Sequence, residues 1–391
     1  MKSFQADYVF PVCAPPIKNG IVTVDDVGKI LSVSEQVPIT EHNQVPVEKL
    51  SGIICPGFIN THCHLELSHL KGKIEKGTGL VNFIKNVQKF RNIEKAEMLE
   101  AATIADNEMF DNGIVAVGDI SNSNLTISVK QDSKLYYHTF VETFGFLPGQ
   151  ADTIFNRALS LRDDFRPLSC SVTPHAPYSV SKELFKLIKK KCETGNNLIS
   201  IHNQECEDEN KFFRYKKGTF NNLYESFGID ISHFKAKKRN SLQSILPLLT
   251  SEQQILFVHN TFTNLKDIQF VKQHDHKINW CFCPNANLYI ESTVPRVELF
   301  LGQGFNITIG TDSLASNDGL SILGEMLCLQ QKFPSLTTAR LVEWATAGGA
   351  RYLGIDDKTG TLEAGKTPGL NLLTGTDGLN LTAETKVKRL V

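Results

Sequence analysis

Short apolar runs broken by turn residues mark the two ends of the chain. Near the N-terminus they occupy residues 8–10, 20–24 and 29–33, and residues 360–373 have the same texture near the C-terminus. Runs of this kind, bounded by turn-forming residues, are typical of short strands. We therefore expect residues 1–55 and 355–391 to build one small β-sandwich domain beside a central domain.

In the centre of the chain, apolar strand candidates alternate with helix-like stretches. One such stretch, residues 181–189, opens with Ser181 in the position of an N-cap. The eight strand candidates are residues 57–64, 114–120, 136–143, 168–173, 198–202, 255–259, 278–283 and 307–312. This alternation predicts an α/β fold with a (β/α)8 TIM-type barrel over residues 56–354. The alternative is a doubly wound six-stranded sheet, but the glycine-rich phosphate turn expected after its first strand is missing.

Residues 204–253 form a longer connection than a plain strand-to-helix loop. The segment is polar and aromatic, and it contains a basic run at residues 235–239. Long connections in compact domains are often functional, so we interpret this one as an insertion over the barrel mouth. The basic run is more typical of a solvated face than of a binding patch.

The composition excludes several classes of protein and partner. The 391 residues include 41 Lys and Arg and 42 Asp and Glu, a net charge of −1, which gives no electrostatic reason to expect nucleic acid or a membrane surface as a partner. No apolar run approaches the ~20 residues that span a bilayer, and the N-terminus lacks the pattern of a secretory signal. Nine scattered cysteines make a poor disulfide framework, so we expect a cytoplasmic protein.

Histidines and one aspartate stand at the ends of four of the predicted strands. His62 and His64 end the first strand, and because side chains alternate along a strand, both point to one face. His202, His259 and Asp312 end the fifth, sixth and eighth strands. The carboxyl ends of barrel strands meet at one mouth, and this mixture of ligands suits zinc or iron. A single such histidine is more often a buried, hydrogen-bonded structural residue than a metal ligand. A purely structural role does not explain polar groups at the ends of four strands.

Glu205 follows His202 by three residues and is near enough to reach the same mouth. A carboxyl group beside a metal-activated water can carry protons. The alternative is a solvated acidic loop, which we favour for Glu207 and Asp208 and leave open for Glu209.

His175 lies in a loop stiffened by two prolines after the fourth strand, at residues 173–179. We predict that it contacts the substrate, although a helix-start loop with an incidental histidine explains the sequence equally well. The fourth strand offers no lysine, which argues against a lysine-bridged pair of metal ions.

Several short motifs resemble the amidohydrolase superfamily, and specifically its one-metal deaminase branch. They run in the family order over roughly residues 50–350, and both ends resemble its small β domain. At Thr367 and Pro368 this chain departs from relatives that carry an Ala-Asp pair. The matching pieces are residues 56–64, 174–178 and 202–205, His259, and residues 283–287 and 310–313.

The resemblance implies a set of roles around one divalent metal ion, zinc or else iron. It makes Glu205 the proton shuttle, assisted by Asp312, while His259 holds the attacking water or the developing oxyanion and His175 contacts the substrate. Hydroxide then attacks the amine-bearing carbon of a heterocycle, and ammonia leaves. The implied metal ligands are His62, His64, His202 and Asp312.

The substrate is indicated by a shorter resemblance. Residues 64–68, which include Glu66, are similar to deaminases of aminodeoxyfutalosine, a 6-aminopurine nucleoside that carries a benzoate. Glu66 is then a substrate contact, or else a structural carboxyl under the loop. Relatives that act on methylthioadenosine or S-adenosylhomocysteine place an acid and a Trp near Asn82 and Phe83, which points to a different recognition of the ribose.

Other functions of the same barrel stay open at this point. They are deamination of guanine, cytosine or a pterin, hydrolysis of a cyclic amide, a chlorohydrolase activity, and a non-enzymatic binding module. The completeness of the site argues against a non-enzymatic module. We expect a small-molecule substrate, with a homodimer as a possible assembly.

Overall fold

The computed structural model describes residues 1–35, 46–193, 195 and 197–391. Part of the predicted terminal domain, residues 36–45, therefore lies outside the described residues. No helix in the described ranges is long and apolar enough to cross a membrane.

Strands from both ends of the chain form two sheets that share apolar side chains. The strand order is β5-β4-β1-β6 in one sheet and β17-β16-β7-β2-β3 in the other. Phe4, Val22, Ile54 and Leu372 belong to one buried cluster, which joins the two termini. The strands are β1 (Lys2–Gln5), β2 (Tyr8–Val9), β3 (Ile17–Lys18), β4 (Ile21–Val24), β5 (Ile30–Ser34), β6 (Val47–Lys49), β7 (Ile53–Pro56), β16 (Leu370–Thr374) and β17 (Lys386–Arg389).

Eight parallel strands occupy the centre, each within a few residues of its predicted position. They form two four-stranded sheets, β11-β10-β9-β8 and β12-β13-β14-β15. The last strand ends before the predicted Asp312, because the chain leaves the extended conformation there. The strands are β8 (Phe58–Cys63), β9 (Ile114–Ser121), β10 (Tyr136–Thr143), β11 (Ser169–Pro174), β12 (Ile199–Asn203), β13 (Gln254–His259), β14 (Lys277–Phe282) and β15 (Asn306–Ile309).

Hydrogen bonds join the edges of the two central sheets. The amide of Asp312 donates to the carbonyl oxygen of His62 at 3.0 Å, beyond the end of β15. At the other junction, the amide of His202 in β12 donates to the carbonyl oxygen of His175 at 3.0 Å. These bonds bring the carboxyl ends of β8, β12 and β15 to one place. The fold is thus α/β, with its parallel strands ending around a common site.

Helices follow most of the central strands. The hydroxyl oxygen of Ser181 accepts from the amide of Leu184 at 3.2 Å, as the predicted N-cap requires. The helices are α1 (Leu80–Phe90), α2 (Lys95–Asp111), α3 (Ile127–Asp132), α4 (Ala151–Asp164), α5 (Lys182–Glu193), α6 (Glu207–Tyr215), α7 (Thr219–Ser226), α8 (Ser241–Ile245), α9 (Leu265–Lys272), α10 (Pro284–Glu291), α11 (Ile322–Lys332), α12 (Thr338–Ala345) and α13 (Ala347–Leu353).

The long connection at residues 204–253 contains α6, α7 and α8. Phe212 and Phe220 of this connection are buried: Phe212 stacks on Phe234 with ring centroids 4.5 Å apart, and Phe220 packs on Tyr178 at 4.3 Å. Tyr178 belongs to the loop after β11, so the connection packs beside the carboxyl ends of the strands. The basic side chains of residues 235–239 are exposed, which agrees with a solvated face.

Candidate active site

Four predicted ligand side chains converge at the carboxyl ends of β8, β12 and β15. The Nε2 atom of His64 lies 3.2 Å from Nε2 of His62 and 3.3 Å from Nε2 of His202. The Oδ1 atom of Asp312 lies 3.5 Å from Nε2 of His62 and 3.3 Å from Nε2 of His64. One ligand atom from each of these residues can be chosen so that all four lie within 4.8 Å of one another.

The backbone turns sharply where these side chains leave the strands. His259 and Asp312 have φ values of 71° and 58°, in the left-handed region that non-glycine residues rarely adopt. Gln204, beside the end of β12, has a φ of 48°. Each such conformation costs on the order of 1–3 kcal/mol and persists only where the surroundings fix it, which is common at functional sites.

The donor set fits a divalent cation. A tetrahedral ion with zinc–nitrogen bonds of 2.0–2.1 Å places its ligand atoms about 3.3 Å apart, close to the spacing seen here. Burial lowers the pKa of His202 to about 3 and that of His64 well below its usual value, so both imidazoles are neutral, as metal ligation requires. Although burial opposes ionisation of Asp312, the hydrogen bond from His62 and the nearby histidines hold its pKa well below the usual range.

Glu205 and His259 face each other beside this group. The Oε1 atom of Glu205 lies 3.6 Å from Nε2 of His259, and both side chains are at most 5% exposed. Burial first, and then the charge of Asp312, raises the pKa of Glu205 well above its usual range. A carboxyl group whose pKa is raised toward the working pH can accept a proton and then return it, so it can act first as a base and then as an acid.

Asn287 in α10 orients His259, a role that the sequence did not suggest. The side-chain amide of Asn287 donates to Nδ1 of His259 at 3.1 Å. Nε2 of His259 then carries the hydrogen, and within the described part of the chain this buried atom has no hydrogen-bond partner. A donor without a partner, aimed beside Glu205, is suited to an oxygen that gains negative charge.

His175 lies on the wall of the same cavity. Its Nδ1 atom is 2.6 Å from the hydroxyl of Ser179, and its carbonyl oxygen accepts from Nδ1 of His202 at 2.8 Å. Burial lowers the pKa of His175 to about 4, so its ring is neutral near pH 7. The residue therefore fixes the orientation of His202 through its backbone while its ring faces the cavity.

The acidic residues after Glu205 separate into two kinds. Glu207 and Asp208 are partly exposed and pair with Arg214 and Lys211, which agrees with the solvated reading. Glu209 is fully buried, and its Oε1 atom accepts from the amide of Gln204 at 3.0 Å. It thus supports the turn that carries Glu205.

A cavity of about 240 Å³ extends outward from the histidine group. His64, His175, His202, Glu205, His259 and Asp312 line its inner end. Farther out, the lining is mainly apolar and comes from α1, α7 and the segments that follow them, including Phe83, Val87, Arg91, Leu223 and Phe227.

Glu66 lies behind the wall of this cavity and does not line it. Its Oε2 atom accepts from the hydroxyl of Ser123 at 3.0 Å, and its Oε1 atom is 3.7 Å from Nη2 of Arg91. Burial raises the pKa of Glu66 to about 6. In α1, the side-chain amide of the exposed Asn82 donates a hydrogen bond to the carbonyl oxygen of Thr78, just before the helix, whereas Phe83 faces the cavity. Direct contact between Glu66 and a substrate stays a prediction.

The sequence of this chain matches a known protein family. A profile of the amidohydrolase family matches residues 53–389. The chain belongs to the amidohydrolase family. The resemblance stated from the motifs is thereby confirmed, and the curated relatives that it matches include proteins named as deaminases.

Among the relatives of this amidohydrolase is an adenosine deaminase of Helicobacter pylori, 26% identical over 82% of this chain and 79% of that protein. Among solved structures, aminofutalosine deaminase of Helicobacter pylori in complex with methylthio-coformycin gives a TM-score of 0.82 at 21% identity, covering 100% of both chains. An adenosine deaminase of Xanthomonas campestris with bound zinc gives 0.73 at 21% identity, covering 95% of this chain and 84% of that one. These likenesses support an amidohydrolase-type α/β fold.

Proposed function

We propose that this amidohydrolase is a metal-dependent hydrolytic deaminase that acts on a 6-aminopurine nucleoside and releases ammonia. The observation that carries the proposal is the pairing of Glu205 with Nε2 of His259 at 3.6 Å, beside three histidines and an aspartate. That arrangement supplies a proton carrier and an oxyanion donor next to a cation site. The names of the curated relatives support the same reaction class.

The metal is zinc, with iron as the second candidate. His62, His64, His202 and Asp312 would hold it, a set of nitrogen and oxygen ligands that both ions accept. The chemistry that such an ion supplies is a lowered pKa of water, which gives a hydroxide nucleophile near neutral pH.

The residues of the chain divide the remaining work. Glu205 takes the proton that the water loses and delivers it to the ring nitrogen beside the amine-bearing carbon. The Nε2–H group of His259 donates a hydrogen bond to the oxygen that becomes bonded to that carbon. Glu205 then moves the remaining proton of that oxygen to the amine, the carbon–nitrogen bond breaks, and the products are a ring carbonyl and ammonia. His175 contacts the heterocycle from the wall of the cavity.

Aminodeoxyfutalosine is the substrate that the outer cavity favours. Phe83, Leu223 and Phe227 offer apolar surface for an aromatic ring, and Arg91 offers a cation for a carboxylate. A neutral nucleoside such as 5′-deoxyadenosine uses less of this surface.

The test measures turnover by the zinc-loaded protein: ammonia release from the aminated compounds, ring opening of the cyclic amide and chloride release from the chlorotriazine. The panel contains aminodeoxyfutalosine, adenosine, 5′-deoxyadenosine, guanine, cytosine, a pterin, a cyclic amide and a chlorotriazine. Deamination of the 6-aminopurine nucleosides is the expected result. Turnover confined to the other compounds, or found with none, contradicts the proposal.

We also propose the finer architecture. The hydrogen bonds at both sheet edges support one closed (β/α)8 barrel over residues 56–354, and the shared apolar cluster supports a β-sandwich from residues 1–55 and 355–391. Nine free cysteines, all within the described ranges, support a cytoplasmic location. A homodimer stays a prediction, which light scattering of the purified protein tests.

A further inference from the structure

Glu142, at the end of β10, is a buried carboxyl group on the wall of the cavity that the reaction described above does not use. It is 9% exposed, and its Oε2 atom accepts from the side-chain amide of Asn122 at 2.9 Å. Its Oε1 atom is buried and has no hydrogen-bond partner among the residues that the structure describes. Both Glu142 and Asn122 line the cavity.

The neighbouring histidine does not satisfy this oxygen. Nδ1 of His202 is 3.6 Å from Oε1 of Glu142, but it already bonds to the carbonyl oxygen of His175 at 2.8 Å. A second cation between Glu142, His175 and His202 would have to break that bond, because Nε2 of His202 faces His64. The free oxygen therefore lacks a partner from the chain itself.

An acceptor of this kind requires a hydrogen-bond donor on the bound molecule, because a buried acceptor without a partner is costly. The three ring nitrogens that are not bonded to the sugar of a 6-aminopurine nucleoside are acceptors, and its exocyclic amine belongs beside Glu205. The donors that remain are the hydroxyl groups of the sugar.

We propose that Glu142, held by Asn122, accepts a hydrogen bond from the 2′ or 3′ ribose hydroxyl of the substrate and so selects nucleosides that carry these hydroxyl groups over their 2′,3′-dideoxy analogues. The inference rests on the proposed deamination. Relatives that act on methylthioadenosine or S-adenosylhomocysteine place an acid near the position of Asn82. In this chain Asn82 is exposed and does not line the cavity, so Glu142 would supply the carboxylate for the ribose instead.

The test compares adenosine with 2′,3′-dideoxyadenosine for the zinc-loaded wild type, Glu142→Ala and Glu142→Gln. The wild type is expected to favour adenosine in kcat/KM by roughly 10- to 100-fold, because a hydrogen bond to a charged group contributes about that factor. In Glu142→Ala this preference should fall to less than about threefold through loss on adenosine alone. Glu142→Gln, which keeps the shape of the side chain, should give an intermediate ratio.

A matched control is Glu207→Gln, which removes a carboxylate paired with Arg214 outside this cavity and should leave the ratio unchanged. Equal losses on both nucleosides in the Glu142 variants would indicate a merely structural role and overturn the inference, while the deaminase proposal would stand. If the wild type released no ammonia from adenosine, 5′-deoxyadenosine or aminodeoxyfutalosine, the proposed function would fail and this inference with it, whereas equal wild-type turnover of adenosine and 2′,3′-dideoxyadenosine would overturn the inference alone.

Discussion

The inner end of the cavity differs from its outer wall in how its side chains are held. At the inner end, His62, His202 and Asp312 leave the ends of parallel strands, and their side chains are at most 8% exposed. At the outer wall, Phe83 and Leu223 come from α1 and α7, two helices that contact each other. The rigid strands carry the groups that perform chemistry, and the helices carry the surface that selects substrates.

This difference implies that substitutions at the inner end and at the outer wall should have different effects on activity. Changes at the inner end should abolish metal binding or turnover for every substrate. Changes at the outer wall should alter the choice among substrates and leave the chemistry in place.

The largest effect is expected for His64→Ala at the inner end. His64 lies within 3.3 Å of both His62 and His202, so its loss removes the central ligand atom of the group. We expect the purified variant to contain less than about a tenth of the wild-type zinc and to lose its activity, since ligand loss at such sites strongly weakens binding. Elemental analysis measures this, with His274→Ala outside the cavity as the control. Full zinc content in His64→Ala would remove His64 from the ligand set.

Side chains at the ends of strands could be predicted from the sequence more easily than side chains that reach the cavity from helices. His62, His64, His202 and Asp312 could be predicted because the carboxyl ends of parallel strands lie together, and the structure brings these four side chains to one place. Asp312 lies beyond β15 because its left-handed backbone ends the strand, which a pattern of apolar residues does not reveal.

The sequence did not predict three other residues near the cavity, and the reasons are physical. Glu142 stands at the end of a predicted strand, so its position alone indicates a side chain near the site. Asn287 lies in a motif that the family resemblance included, but its contact with His259 depends on how α10 packs. Arg91 follows a helix, and no positional rule brings such a residue to a cavity.

The second largest effect is expected for Glu205→Gln. This variant keeps the size of the side chain but cannot carry a proton, and general acid–base catalysis contributes about 10²- to 10⁴-fold. We expect kcat to fall by that factor for every nucleoside while zinc content is unchanged, with Glu207→Gln as the matched control. Ammonia release near the wild-type rate would show that another group carries the proton.

At the outer wall, Arg91→Met should have a smaller and selective effect. If Arg91 binds a substrate carboxylate, kcat/KM for aminodeoxyfutalosine should fall roughly tenfold, the value of one charge-assisted contact. The value for adenosine should change by less than about threefold. Lys89→Met, in the last turn of the helix that precedes Arg91 but outside the cavity lining, is the control. Equal losses on both substrates would break the distinction between the inner end and the outer wall.

The smallest effect concerns the support behind the inner end. Glu325 accepts from the amide of Asn285 and the side chain of Asn317, which joins α10 to the loop after Asp312. Burial raises its pKa from 4.5 to about 8, so the folded state keeps a proton that the unfolded state releases. This contribution to stability is complete below about pH 4.5 and declines as the pH rises to 8, by at most about 1.4 kcal/mol per pH unit.

Glu325→Gln removes this titration. Urea unfolding between pH 5 and 8 should therefore show a shallower loss of stability with rising pH in the variant than in the wild type. Identical slopes would mean that Glu325 does not titrate in this range in the folded protein.

X-ray absorption at the zinc edge tests the central claim most directly, because it reports which atoms surround the ion in the intact protein. With one equivalent of zinc bound, the account predicts nitrogen and oxygen neighbours at about 2.0–2.1 Å, including the outer-ring signal of imidazoles. The buried thiols of Cys63, Cys281 and Cys283 lie in the same region of the strands and offer an alternative. Sulfur scattering at about 2.3 Å, or no imidazole signal, would contradict a site built from His62, His64, His202 and Asp312.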